Sequence, residues 1–379
     1  MQLTVIILNY NVRHFLEQCV LSVQKAIQNL DAEIIVIDNN SLDDSCIMMQ
    51  QLFPNIKLIK NSENLGFPKG NNIAVAAAKG EYICILNPDT VIAEDTFEKM
   101  LAFAKSKDDL GIVGCKLIDG TGNFLPESKR GIPTPWVAFT KIFGFHKLFS
   151  KSSCFNKYYA QHLTENQTGK VGILVGAFMI MKRDLYNEIG GFDENCFMYS
   201  DDIDLSYMAL KKEKSNYYFH ETTIIHYKGE STVRDKTYIK RFREAMQFFY
   251  KKHFNKSIVF DLMMCFGSFI FSIVKKNQQL NRKFHVDETI FFTKVNNVLD
   301  YSSTILNRSK LETFHNKHSI NYEIIFDTSS FSYHEIIDFM QKNRAKNIIF
   351  KNFLPSSNFI IGSNHANDIG IVLNLSKVE

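Results

Sequence analysis

Tyr82-Ile83-Cys84-Ile85-Leu86-Asn87-Pro88-Asp89-Thr90 is an apolar run that stops at a proline and then presents a carboxylate. A short run without a polar face, rich in Ile and Leu, fits a strand buried on both sides of a sheet. Pro88 has no N–H to give to a ladder, so the strand ends there and the chain turns. In an open α/β sheet, ligands gather beyond the carboxyl ends of the strands. Asp89 would then stand in a binding cleft, where a carboxylate can hold a divalent cation. The same residue also fits as the cap of a helix beginning near Thr90 to Phe97. This stretch alone leaves both readings open, and the rest of the chain decides.

Upstream, Leu3 to Leu8 reads as a first buried strand ending in Asn9-Tyr10-Asn11. Phe15, Cys19, Val20 and Val23 then recur at helical spacing over Phe15 to Ala26. A second strand, Glu33 to Ile37, runs into Asp38-Asn39-Asn40-Ser41, which opens a helix over Asp43 to Leu52. A third strand, Ile56 to Ile59, leads through Asn64-Leu65-Gly66-Phe67 and Lys69-Gly70-Asn71-Asn72 to an Ala-rich helix through Ala78. Strands alternating with helices predict βαβ units, a mainly parallel central sheet and right-handed crossovers.

Strands therefore end in small polar or acidic clusters at Asn9, at Asp38 and at Asn87 to Asp89. Asn and Asp favour turns on their own account. Side by side at one sheet edge they also make a nucleotide pocket. There Asp38 can accept the imide proton of a uracil or thymine ring, with Asn9 or Tyr10 flanking the base. No Gly-rich phosphate loop of Rossmann or Walker type is present, so the charge of a diphosphate would be met by a cation at Asp89.

The loop from Asp119 to Pro135 carries Lys129 and Arg130, read first as a solvated charge pair. The functional alternative puts Arg130 near a diphosphate or an acceptor. Val171 to Met181 is apolar, and its Gly172 and Gly176 leave room for a ligand to approach the backbone. Asp201, Asp202 and Asp204 then crowd three carboxylates into four positions, where they repel unless cations, donors or protons intervene. An exposed acidic helix start is one reading. The bracketing Phe197, Met198, Tyr199, Ile203 and Leu205 argue for a partly buried cluster, and a desolvated Asp suits a general base. His226 ends a further strand and either completes a metal site or contacts the diphosphate.

Composition sets the outer limits. A chain of 379 residues exceeds one ordinary core, so two or three domains are expected. With 45% hydrophobic and 22% charged residues it is a folding chain rather than a disordered one. The net charge of +4 does not argue for nucleic acid, and none is expected as a partner. Seven dispersed cysteines without a CxxC pair fit reduced thiols in the cytoplasm. The apolar start is too short for a secretory signal and turns polar at Asn9, so the first strand is expected to belong to the fold.

The last third reads differently. Tyr238 to Phe254 is helical and basic, and Ile258 to Val274 is apolar, short of the ~20 residues that a spanning helix needs. An interfacial helix giving peripheral membrane contact and a helix packed on the preceding domain both fit. Residues 277 to 320 read as a helical linker. Tyr322 to Asp327, helix Tyr333 to Asn343, and strands Asn347 to Phe350 and Phe359 to Gly362 form a second, smaller α/β pattern. The expected division is 1–250, 251–320 as a membrane-proximal linker, and 321–379.

Taken together, these motifs resemble the family 2 inverting glycosyltransferases of the GT-A fold, in particular the bacterial rhamnosyltransferase-like branch. The elements read VIILNYN, VIDNNSLD and NLGFPKGNN, with the metal motif as Asn87-Pro88-Asp89, the acid–base element as Asp201-Asp202 and the late histidine element as His226-Tyr227-Lys228-Gly229. The likeness covers residues 1 to about 250. It implies a nucleotide-diphosphate sugar donor such as dTDP-rhamnose or a UDP-hexose, a glycan or lipid-linked acceptor, Mg²⁺ or Mn²⁺, and single displacement with inversion. Asn9, Tyr10, Asp38, Asn40, Gly66, Asn71, Asn87 and Arg130 would line the nucleotide-sugar, Asp89 and His226 the metal. Asp202 would deprotonate the acceptor hydroxyl beside Asp201. Two departures stand out: Asn87 replaces the first carboxylate of the metal motif, and Asp replaces the usual Glu at 201. Asn87 also suits a rival reading, a sheet that binds nucleotides or glycans without catalysis. A nucleotidyltransferase would need a basic, Gly-rich loop where Asn9-Tyr10-Asn11 stands.

Overall fold

The structure, a computed structural model, describes residues 1–142, 157–228, 236–254, 284–294, 304–306, 311, 314–365 and 369–375. The apolar segment 258–274 lies outside them.

The first half is built as the alternation of strands and helices predicts. Strands β1 (Leu3–Asn9), β2 (Ala32–Asp38), β3 (Lys57–Lys60) and β4 (Tyr82–Leu86) are parallel, in the order β3-β2-β1-β4. They are linked by α1 (Arg13–Ala26), α2 (Ser45–Leu52) and α3 (Gly66–Ala76). No residue of β4 is more than 1% exposed, as its unbroken apolar run requires. Burying each large aliphatic side chain here contributes about 1.5–3 kcal/mol.

After Pro88 the chain departs from expectation. Thr90 and Val91 do not begin a helix; they form a short strand, β5 (Thr90–Val91), paired antiparallel with the end of β9 (Ser215–His226). The helix α4 starts only at Thr96 (Thr96–Lys105), so Asp89 caps nothing. Two β-branched residues at the end of a long strand gain more from ladder pairing than from a helix turn.

Beyond β4 lie β8 (Phe178–Lys182), antiparallel to it, then β6 (Leu110–Ile118) and β9, with β7 (Gly169–Val171) also on β9. Helices α5 (Pro135–Ile142), α6 (Arg183–Glu188), α7 (Asp201–Lys211) and α8 (Lys236–His253) complete this part. Among the described residues no helix is long and apolar enough to cross a membrane.

A second sheet follows, ordered β11-β10-β12-β13-β14-β15. It comprises β10 (Glu288–Phe292), β11 (Thr304–Leu306), β12 (Tyr322–Asp327), β13 (Ile348–Leu354), β14 (Phe359–Ser363) and β15 (Ile371–Asn374), with α9 (Tyr333–Asn343) between β12 and β13. The helical-linker reading of 277–320 is corrected at β10 and β11, which pair in parallel into this sheet. The run Glu-Thr-Ile-Phe-Phe is β-branched and aromatic, and strand pairing wins over its polar surroundings.

The two sheets share one apolar layer. Val12, Phe15, Val91, Ile225 and Tyr227 pack with Phe292, Ile324, Phe326, Tyr333 and Phe350. At its rim Glu94 accepts the Tyr333 and His334 N–H groups, both at 2.9 Å, and so caps α9 from the first half of the chain. A carboxylate there meets unpaired donors and the positive end of the helix dipole. Tyr227 is 3% exposed in this layer, so the second sheet backs the residue next to His226.

Candidate active site

Asp89 comes to His226 because β5 pairs with β9. Thr90 stands opposite His226, and Tyr227 N donates to Asp89 O at 3.0 Å. His226 Nε2 then lies 3.4 Å from Asp89 Oδ1 and 3.4 Å from Asn87 Nδ2. His226 Nδ1 is buried with no hydrogen-bond partner. Two ligands each about 2.0–2.2 Å from one ion stand about 3 Å apart, so the Asp89–His226 spacing fits a shared divalent cation. Among the described residues no three His, Cys, Asp or Glu side chains gather about one point. Asp89 and His226 would be two of the ligands of such a cation, and water and phosphate oxygens would take the remaining positions, the mode usual for Mg²⁺ with nucleotides.

A short path connects this pole to the acidic helix start. Asn87 N donates to Ala177 O at 3.0 Å, and the neighbouring Gly176 N donates to Asp202 Oδ2 at 3.1 Å. A Cβ at Gly176 would stand 3.4 Å from Asp202 Cβ, an ordinary contact, so the approach does not depend on glycine. Arg130 closes on the same oxygen, with Nη2 2.5 Å from Asp202 Oδ2 and 3.1 Å from Leu174 O. Its backbone is fixed by a bridge to Ile173. The solvated-pair reading of Lys129 and Arg130 is thus overturned: Lys129 is 4% exposed and donates to the carbonyls of Tyr159 and Ala160. A basic pair in a Gly- and Pro-rich loop looks solvent-facing until the distant acceptors are known.

The exposed-acid reading of 201–204 is also overturned. Asp201, Asp202 and Asp204 are all buried in the first turn of α7, where the helix dipole favours negative charge. Asp204 is held by Lys252 at 2.8 Å and by His253 at 2.5 Å, which ties α8 to α7. Asp201 has no such cation, and its Oδ1 is buried without a partner. Burial, reinforced by the charge of Asp202, pushes Asp201 from an ordinary 3.8 up to about 7.

That shift has a consequence for stability. Below about pH 4 Asp201 is protonated in both states and costs nothing. As pH rises toward 7 the unfolded chain releases the proton while the native site keeps it, so stability falls. Asp201→Asn removes this penalty. Urea denaturation should show the variant gaining on wild type by on the order of 1 kcal/mol or more between pH 5 and pH 8. Parallel pH profiles for the two proteins would contradict the assignment.

A second group of the expected site residues is organised around Asp38. Its carboxylate accepts Asn9 Nδ2 at 2.7 Å, Ser41 N at 2.8 Å and Ser41 Oγ at 2.7 Å, joining the ends of β1 and β2. Asn40 is exposed in the left-handed region, φ 61°, a conformation Asn tolerates in turns. Gly66 has φ 80°, and a Cβ there would meet Phe197 at 2.8 Å. Asn71 is buried, with Nδ2 donating to Phe67 O and Oδ1 unpartnered. Tyr10 is half-buried after β1. The structure thus brings Asn9 and Asp38 into direct contact and gives Asn40 a turn role.

Glu127 and Lys228 stand near both poles; sequence reasoning quoted Lys228 within the histidine element without giving it a role and passed over Glu127. They form an ion pair although 101 positions separate them (228 minus 127). Burial pushes Glu127 up, but the Lys228 ammonium outweighs it, aided by His226, and holds the carboxyl below the usual glutamate range. Glu127 also acts on Arg130, so it reaches toward both poles. Pro126-Glu127-Ser128 carries no motif, and only the fold reveals the pairing.

The chain is similar to known glycosyltransferases. The glycosyl transferase family 2 model matches residues 4–190. The N-acetylglucosaminyl-diphospho-decaprenol L-rhamnosyltransferase of Mycobacterium tuberculosis is 26% identical over 247 residues, covering 62% of this chain and 78% of that protein. Rhamnosyltransferase WbbL of Escherichia coli K12 is 28% identical over 197 residues, covering 48% and 70%. Among solved structures, mannosyltransferase PcManGT from Pyrobaculum calidifontis, in complex with GDP-Man and Mn²⁺, aligns over 73% of this chain and 76% of its own, with TM-score 0.47 and 15% identity. The family match spans the strands that carry Asn9, Asp38 and Asp89 and ends before Asp202, so residues 4–190 are a family 2 glycosyltransferase domain, similar to bacterial rhamnosyltransferases.

Proposed function

We propose that the enzyme transfers a sugar from a nucleotide-diphosphate donor, dTDP-rhamnose or a UDP-hexose, to a glycan or lipid-linked acceptor in cell-surface polysaccharide synthesis, with inversion. The observation that carries this is the two-pole cleft: Asp89 and His226 at one side, Asp202 with Arg130 at the other, joined through Ala177 and Gly176. A single displacement needs charge relief on the departing diphosphate and a base facing the acceptor. A divalent cation held by Asp89 and His226 would offset the charge that develops on the leaving group.

The chain's own residues do the rest. Both contacts to Asp202 fall on Oδ2, so the other oxygen can receive the acceptor proton. Arg130 and the Gly176 N–H fix the direction of that carboxylate, and pre-set geometry is much of what a general base contributes. Asp201, half-protonated near neutral pH, keeps a second full charge away from Asp202. Asp38 and Asn9 would hold the base of the donor, with Asn71 and the Gly66 turn beside it.

Titration of UDP, dTDP and GDP into the purified protein, with Mn²⁺ and with chelator, tests the donor class. One base should bind with clear preference and more tightly with metal. Absence of binding by all three would remove the donor assignment.

The location follows from the same reading: cytoplasmic, peripheral on the inner face of the cell membrane. Lys240, Arg241, Arg243 and Lys251 are exposed along α8 and suit an anionic surface. The protein should co-sediment with anionic vesicles at low salt and be released at high salt. Equal recovery with neutral vesicles would place any attraction elsewhere.

A further inference from the structure

The charged side chains of the cleft are not equally accessible. Asp89 and His226 are 5% and 9% exposed, and Arg130 and Asp202 are 12% and 13%. Lys228 and Glu127 stand out at 21% and 23%. This ion pair is thus the most exposed of these charged groups. Lys228 is two residues beyond His226, and its backbone is left-handed at φ 67°. That conformation costs an L-residue about 1–2 kcal/mol, so the surroundings must hold it.

The cation side is also short of charge. Asn87 stands where a second carboxylate would strengthen metal binding, and Asp89 with His226 are the two ligands on offer. One divalent ion balances the two negative charges of a nucleotide-sugar diphosphate, but the departing nucleoside diphosphate gains a further charge that the ion leaves unbalanced. A lysine beside the histidine ligand can supply the difference directly.

We propose that Lys228 is a protein-borne counter-charge for the donor diphosphate, and that Glu127 holds it ready. In the free enzyme the ammonium pairs with Glu127; when donor binds, it exchanges that carboxylate for diphosphate oxygens. Glu127 keeps the lysine at the cleft wall and prevents an unpaired cation from facing the sugar. The inference rests on the donor reading above. Its consequence is a metal-independent component of diphosphate binding, assigned to Lys228.

Calorimetry of nucleoside diphosphate against the matching monophosphate, each in Mn²⁺ and in chelator, tests this on wild type, Lys228→Met, Lys228→Arg and Glu127→Gln. In chelator, wild type should prefer the diphosphate. Lys228→Met should weaken the diphosphate about tenfold or more, as loss of one charge-assisted hydrogen bond implies, and leave the monophosphate unchanged. Lys228→Arg should retain the preference, and Glu127→Gln should retain or strengthen it. Equal diphosphate affinity in wild type and Lys228→Met would overturn the inference while the donor reading stands. A parallel loss for monophosphate, or a Glu127→Gln variant as weak as Lys228→Met, would mark the pair as structural and overturn it too. If wild type binds neither nucleotide under any condition, the donor reading falls first.

Discussion

Asp202→Asn is expected to lower kcat by ~10²-fold or more while donor affinity stays nearly unchanged, because a positioned base acts mainly in the transition state. The substitution suits the geometry. Asn keeps the size of the side chain and a carbonyl oxygen for Arg130 Nη2 and Gly176 N, the two donors that now meet Oδ2. What disappears is the capacity to take a proton. Arg130 loses its counter-ion, so a small stability loss should accompany the kinetic one, and a denaturation curve separates the two. Asp201→Asn should act more mildly and largely through the acceptor KM. Its Oδ1 is sealed from solvent, whereas Asp202 keeps part of its side chain open to the cleft. If Asp201→Asn is the inactive enzyme and Asp202→Asn the mild one, the base is Asp201.

Asp89→Ala should remove metal-stimulated turnover and metal-assisted donor binding, a loss on the order of 10²-fold or more if the cation contributes several kcal/mol to the transition state. The fold should persist. The contact that places Asp89, Tyr227 N to Asp89 O, is made by the backbone and survives the change. Strand β5 keeps Thr90 opposite His226. The variant leaves His226 as one neutral ligand, too little to recruit a hard divalent ion. Turnover equal to wild type, or wild-type activity unaffected by excess chelator, would remove the metal from this cleft.

Much of this arrangement was legible in the sequence because it rests on local signals. The unbroken apolar run of β4, stopped by Pro88, marked a central strand and the residue presented beyond its end. Helix α9 was readable over its observed span, Tyr333 to Asn343, as part of the second, smaller α/β pattern. The acidic cluster at 201–204 announced itself by repulsion. What could not be read depends on partners far along the chain. Thr90 and Val91 look like a helix start until β9 offers a ladder. Arg130 looks solvated until Asp202, 72 positions later, closes on it. Glu127 carries no local signature that would pair it with Lys228, and β10 hides in polar surroundings until β12 pairs with it. Which of two adjacent aspartates is buried without a cation likewise depends on helix orientation, which no spacing rule gives.

The most direct test of the two-pole mechanism is release of nucleoside diphosphate from UDP-, dTDP- and GDP-sugars by the purified chain with Mn²⁺. Wild type, wild type in chelator, and Asp202→Asn are compared with a glycan or lipid-linked acceptor present. The account predicts that one donor class is consumed, that chelator depresses the rate, and that Asp202→Asn abolishes acceptor-dependent release while still binding the nucleotide. Folded wild-type protein that binds nucleotide yet consumes no donor, or an Asp202→Asn variant as fast as wild type, would contradict it.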